Sequence, residues 1–200
     1  MLMKQVLIII SLFYCISLFS QQNDDEEFKT LLSDSVNITG YGYPVLTVSN
    51  YNNQVAAYIG GGGGLIINNK FFIGGFGNGL ISNFQVPEGE FKDKKFEIGC
   101  GGIWIGYIFF GTKMIHPELS LMASWGGISI SEESARYNPD SYDSFMTISP
   151  TVEVNYTPVK FLRIGAGFSY NYVNGLSFGG ITDKDFTGPG GYIAIKLGWF

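Results

Sequence analysis

Charge is what this chain has least of: twelve basic and seventeen acidic residues make up 14% of its 200 positions, where a soluble globular domain carries about 25%. That scarcity, with a net charge of −5, excludes an electrostatic grip on nucleic acid. No apolar run reaches the roughly 20 residues that a spanning helix needs. Histidine occurs once, as His116, and cysteine twice, as Cys15 and Cys100. What is abundant is glycine, at 28 residues, and aromatic side chains, at 16%. Glycine-rich disorder has few aromatics, each glycine costs a helix about 1 kcal/mol, and collagen needs glycine at every third place with abundant proline. A glycine- and aromatic-rich β protein remains.

Residues 1–20 read as a secretory signal: Lys4 supplies the positive start, and residues 6–19 form an uncharged, largely apolar run. Cleavage is expected after Ser20 or after Ser17. The large Tyr14 before Cys15 speaks against a lipoprotein. Removal leaves Cys100 as the single thiol, so no intramolecular disulfide forms, and net charge falls to −6 with the loss of Lys4. Residues 21–39 form an acidic leader, in which Phe28, Leu31 and Leu32 at helical spacing follow Asp24, Asp25, Glu26 and Glu27.

From residue 40 the pattern becomes alternation, the signal of half-buried strands. Eight strands are expected, over 41–49, 54–67, 71–84, 96–110, 115–131, 144–157, 161–175 and 188–200. Even-numbered connections have three or four residues; odd ones, after a short first, have eleven or twelve. An up-and-down meander collects the short turns at one end and the long loops at the other, the asymmetry of outer-membrane barrels.

Strands 5 to 8 assign their faces. Leu119, Leu121 and Trp125 oppose Glu118, Ser120 and Ser124; Ile148, Val152, Val154 and Tyr156 oppose Ser149, Thr151, Glu153 and Asn155. Ile164, Phe168, Tyr170 and Tyr172 oppose Arg163, Gly165 and Ser169, and Ile193, Ile195 and Leu197 oppose Ala194 and Lys196. A soluble barrel would turn the polar faces outward, but these are small and nearly uncharged, which suits a narrow filled lumen. Tyr156 and Trp199 near the short turns and Tyr170 and Tyr172 near the long loops match two interfacial girdles. In strands 2 to 4 the facing blurs, because runs such as residues 60–64 give neither face a side chain. Pro150 lies inside strand 6, where a bulge or ladder break is expected.

Residues 60–80 (GGGGGLIINNKFFIGGFGNGL), 150–175 (PTVEVNYTPVKFLRIGAGFSYNYVNG) and 180–200 (GITDKDFTGPGGYIAIKLGWF) resemble a group of small outer-membrane β-barrels of Bacteroidota-type bacteria. The resemblance covers most of the mature chain and implies location and fold without an activity. Phe200 is similar to the C-terminal signal that barrel-assembly machinery reads, with Ile193, Ile195, Leu197 and Trp199 as its apolar set. Gly198 and Lys196 depart from the usual pattern of that signal.

Glu118, Glu153, Arg163 and Lys196 fall on the lumen faces of four consecutive strands, close to the short-turn end. Two charges of each sign at one level predict a neutral ion-pair network that pins the barrel, since an unpaired charge there is costly. A gate or ion path is the sharper alternative. His116 follows the short turn at 111–114 and is expected to be solvated; no serine and carboxylate converge on it, so no catalytic residue is assigned. Residues 60–64 lack the Lys-Ser/Thr of a phosphate loop and are expected to allow tight packing. Cys100 reads as a small packed residue. The outer loops hold Glu88, Glu90, Asp93, Glu132, Glu133, Asp140, Asp143, Asp183 and Asp185 against Lys92, Lys94, Lys95, Arg136 and Lys184. These oxygens read as solvated surface charge, although they could bind divalent cations that bridge lipopolysaccharide phosphates.

The expected fold is therefore all-β: an eight-stranded antiparallel up-and-down transmembrane β-barrel over residues 40–200, preceded by a signal peptide (1–20) and a short acidic leader (21–39). The expected role is that of an integral outer-membrane protein without enzymatic activity, in membrane integrity, surface interaction or adhesion. Its expected partners are outer-membrane lipid, lipopolysaccharide and the barrel-assembly machinery, with no cofactor or metal. A narrow conducting pore is the main alternative; a lipid-active enzyme and a soluble lipocalin-like carrier come after it.

Overall fold

The computed structural model describes residues 36–51, 54–82, 96–130, 142–178 and 180–200. The expected signal peptide, residues 21–35 of the expected acidic leader, and the acidic loops at 83–95 and 131–141 lie outside them. Seven long strands come first: β1 (Ile38–Tyr51), β2 (Gln54–Ile67), β3 (Phe71–Leu80), β4 (Phe96–Ile108), β5 (Ile115–Ile130), β6 (Tyr142–Val159) and β7 (Leu162–Asn174). A small hairpin of β8 (Ser177–Phe178) and β9 (Ile181–Thr182) follows, then a helical turn α1 (Asp183–Phe186) and the last strand, β10 (Gly188–Gly198). The eight long strands close into an antiparallel barrel in the order β1-β10-β7-β6-β5-β4-β3-β2. The barrel closes where β1 meets β10, with Tyr41 opposite Gly198 and Ser49 opposite Gly190. Closure leaves the barrel no sheet edge, so each of its eight strands has a partner on both sides.

Several strand limits differ from the sequence reading. β1 starts at Ile38, which pairs with Ile67, so the last two leader residues belong to the barrel wall. β3 stops at Leu80, β6 runs from Tyr142 to Val159, and β10 ends at Gly198. The β2–β3 turn explains its own sequence: Asn68 and Asn69 both take positive φ, a conformation that asparagine tolerates better than most residues. Asn68 Oδ1 also accepts a 2.9 Å bond from the Asn37 amide.

Pro150 breaks the ladder without a bulge. The rungs Ile148–Tyr172 and Thr151–Ser169 keep one register across an unpaired Ser149 and Pro150, and the register shift of this pair lies between Tyr156 and Val159. Inside the wall the gap is bridged by Ser149 Oγ, which donates to Asn171 Oδ1 at 2.8 Å. Pro44 leaves a similar gap in the closing seam, between the rungs Gly42–Leu197 and Val45–Ala194.

The barrel is apolar outside and mixed inside. Leu119, Leu121, Trp125, Ile148, Val152, Val154, Ile164 and Phe168 are exposed, and their alternating partners are buried or half-buried. Tyr156, Phe161 and Trp199 at the short-turn end and Tyr142, Tyr170 and Tyr172 at the long-loop end are exposed rings, placed as interfacial girdles are. The structure also resolves strands 2 to 4: Ala56, Tyr58, Ile66, Phe72, Trp104 and Ile108 turn inward.

A simple rule packs this lumen. Tyr43, Phe72, Phe145 and Tyr192 each lie directly across the ladder from a glycine: Gly62, Gly106, Gly126 and Gly167. A Cβ built on any of these four glycines meets the facing ring at less than contact distance; at Gly126 it would sit 2.7 Å from Phe145 Cζ. The inward glycines are seats for rings, the large-small pairing that lets a narrow barrel fill to native density.

Candidate functional site

The lumen is closed at two levels by different chemistry. Near the short turns, β5, β6, β7 and β10 supply Glu118, Glu153, Arg163 and Lys196, all at most 2% exposed. They are lumen-facing because each falls on the inward parity of its strand, and Glu118 stands directly opposite Glu153, as Lys196 does opposite Arg163. Lys196 Nζ lies 3.3 Å from Glu118 Oε2 and 2.6 Å from Glu153 Oε1. Asn155 Nδ2 donates to Glu118 Oε2 at 3.2 Å. The ammonium also faces three rings, Trp104 at 5.0 Å, Tyr41 at 5.8 Å and Phe72 at 5.9 Å from their centroids, a geometry in which cation–π attraction adds about 1–2 kcal/mol when water is excluded.

Arg163 is placed differently. Its Nε donates to Thr157 Oγ1 at 3.2 Å, and its guanidinium carbon lies 4.2 Å over the Phe200 ring. Among the described residues no carboxylate is within ion-pairing distance of it. The structure thus brings three of the four predicted charges together and leaves Arg163 beside them at the same level. Two negative and two positive groups balance there.

His116 departs from its expected solvated state. It is fully buried, because residues 116 and 118 share the inward parity of β5. Its Nδ1 bonds to the Lys113 carbonyl at 2.9 Å. Ile193, Ile195, Leu197 and Trp199 face outward and are exposed, while Phe200 turns inward between Arg163 and Tyr41. Cys100 is half-buried on the lumen face of β4.

At the long-loop end the seal is apolar. Leu176, Phe178, Ile181 and Phe186, from β8, β9, α1 and their connections, are buried in one cluster with Tyr58, Ile98, Ile128 and Phe145 of the wall. Carboxylates hold this roof at its rim: Asp143 Oδ2 accepts from the Ser177 amide at 2.7 Å, and Asp183 Oδ1 from the Leu176 amide at 2.6 Å. Asp185 Oδ2 accepts from both the amide and the hydroxyl of Thr182, at 2.8 and 2.9 Å. Alternation alone predicts a plain loop over residues 176–187. The missed signal was four large apolar residues in a segment expected to face water, with an acid three residues after Thr182 at a helix start.

Between floor and roof lies a chamber of about 90 Å³. Its lining mixes apolar and aromatic side chains, among them Val45, Trp104, Phe145 and Tyr192, with polar ones, among them Ser49, Asn78, Ser149 and Asn171. Ser120 and Thr151 share a short hydroxyl–hydroxyl hydrogen bond below it.

No protein-family model and no curated protein sequence matches the chain. Among solved structures it is similar to Neisserial surface protein A, with 12% identity and a TM-score of 0.58 over 83% of this chain and 99% of that one. It is also similar to Ail, the attachment invasion locus protein of Yersinia pestis, in complex with the heparin analogue sucrose octasulfate. That match has 11% identity and a TM-score of 0.50, over 81% of this chain and 97% of that one. At such identities the likeness is one of fold, and it does not extend to the Bacteroidota-type group that the sequence resembles. The fold is the eight-stranded barrel of outer-membrane proteins.

Proposed function

We propose that this protein is an integral outer-membrane barrel without enzymatic activity, and that it acts by presenting its long-loop end as a surface for interaction or adhesion. The observation that carries this reading is the lumen sealed at two levels beneath an apolar exterior. A sealed lumen leaves the loop end as the surface through which a water-borne partner can be met. In an outer membrane the short turns and both chain ends would lie in the periplasm, and assembly machinery would read the Ile193, Ile195, Leu197, Trp199 and Phe200 set. Membership in the Bacteroidota-type group of small barrels belongs to the same proposal.

The names of the structural neighbours, a surface protein and an attachment protein, support the role without specifying a ligand. A sulfated polyanion of the kind in the Ail complex fits this chain poorly, because residues 83–95, 131–143 and 176–187 carry nine carboxylates against five cations. Divalent cations bridging these carboxylates to lipopolysaccharide phosphates suit that charge better. Two measurements test the reading: membrane fractionation with heat-dependent gel mobility, and single-channel recording of residues 21–200 refolded in planar bilayers. Outer-membrane partition with a silent bilayer is the expected result. Steady conductance altered by Arg163→Ala would replace it with the pore reading, for which the charged floor would be the gate.

A further inference from the structure

The chamber between floor and roof has properties of its own that neither adhesion nor a passive filler requires. Its described lining holds no charged side chain and no histidine, although four charges lie just below. Four buried polar atoms of the lining residues have no hydrogen-bond partner: Tyr43 Oη, Trp104 Nε1, Asn78 Oδ1 and Tyr192 Oη. Tyr43 and Trp104 are 6% and 2% exposed, so solvent does not satisfy them, and an unmet buried donor or acceptor is costly. Trp104 can only donate, Asn78 Oδ1 can only accept, and the Tyr43 hydroxyl does either. Glycines of β2 seat two of these groups against the wall. A Cβ at Gly62 would strike the Tyr43 hydroxyl, and one at Gly60 would overlap the Asn78 side chain.

We propose that the chamber is a binding site for a small uncharged solute that carries both a hydrogen-bond donor and an acceptor, of the primary-amide or small-alcohol class, with the Leu176–Phe186 roof as its lid. A carbonyl or hydroxyl oxygen accepts from the Trp104 indole N–H, and an amide N–H or hydroxyl donates to Asn78 Oδ1. Rings and hydroxyls interspersed in the lining suit a solute with apolar and polar parts, and the uncharged lining rejects ions through their desolvation cost. Size sets the scale: an apolar cavity of about 150 Å³ takes benzene, so about 90 Å³ accommodates roughly four heavy atoms. Phe186 both belongs to the roof cluster and lines the chamber, so moving the roof opens the site.

Cys100 lines the same chamber and serves as a reporter. The full-length protein, folded in phosphatidylethanolamine/phosphatidylglycerol vesicles, is treated with iodoacetamide or with iodoacetate, and modification of the Cys100 peptide is followed by mass spectrometry. Rates are normalised to those of the heat-unfolded protein, with Cys100→Ser as the blank. The expected result is modification of the folded protein by the neutral reagent roughly tenfold faster than by the charged one. Acetamide, with four heavy atoms, should slow that reaction with a half-effect in the millimolar range, and Phe186→Ala should speed it. Equal normalised rates for the two reagents would overturn the proposal. So would indifference to about 100 mM acetamide, which would mean a chamber that water alone occupies. Inertness of Cys100 in both the wild type and Phe186→Ala would overturn it too. The wild-type measurements carry the test if Phe186→Ala does not fold, and failure of acetamide to protect leaves the surface role standing.

Discussion

The floor and the roof of this lumen perform the same service with opposite chemistry. The floor is charged, hydrogen-bonded and built wholly from strand residues whose direction is fixed by register. The roof is apolar and comes from a hairpin and one helical turn, held at the rim by backbone amides donated to Asp143 and Asp183. Fixed strands can hold charges at distances where pairing offsets desolvation, whereas a folded loop closes a wide mouth with bulk. A charged floor is therefore brittle to substitution, and an apolar roof yields locally.

That contrast can be broken most severely at Lys196. Replacement by methionine keeps the volume but leaves Glu118 and Glu153 facing each other without their shared cation. Removal of one partner of a buried pair costs about 3–5 kcal/mol, so urea unfolding in vesicles should show a loss of that size. A loss below about 1 kcal/mol would mean that water reaches the floor. Phe186→Ala removes the centre of the roof. Buried phenylalanine truncations usually cost about 3–5 kcal/mol, but here about 1–3 is expected because no barrel rung depends on α1, and hydrogen exchange should speed up in residues 176–187 before it does in the strands.

A double-mutant cycle sharpens the comparison within the floor itself. Glu153→Gln combined with Lys196→Met should show coupling of about 1–3 kcal/mol, while Glu153→Gln with Arg163→Met should be additive to within about 0.5 kcal/mol. The reverse order would move the ion pair to Arg163. The smallest effect is expected at the rim of the roof. Asp143→Asn keeps an acceptor but removes its charge, for about 1 kcal/mol, read as faster exchange at the Ser177 amide. Global stability should change little.

The floor was legible in the sequence for the same reason that it is brittle. A two-residue period places Glu118, Glu153, Arg163 and Lys196 on one face, and short turns place them at one level. Which charges touch was not legible, because the strand stagger that gives Lys196 both carboxylates and sends Arg163 to Thr157 and Phe200 is a property of closure. Two of the rings around Lys196, Phe72 and Trp104, were hidden for another reason: in β2 to β4 glycine stands on both faces, and alternation vanishes where there is nothing to alternate. His116 defies its expected solvation because inward strand parity, shared with Glu118, outweighs nearness to a turn. The roof escaped because alternation has no grammar for a loop that folds back into a mouth.

The four ring seats carry a consequence for how such a sequence can drift. A side chain cannot appear at position 167 unless the one at 192 shrinks, and the same holds for 62 with 43, 106 with 72, and 126 with 145. Each pair joins neighbouring strands across one rung, but only at 167 is the ring the sole obstacle; at 62, 106 and 126 a Cβ also meets a backbone oxygen. Compensated exchange of ring and glycine is therefore expected at 167 with 192, and the other three glycines should stay fixed. A chain in which only the glycine had changed would have to eject a ring from the interior.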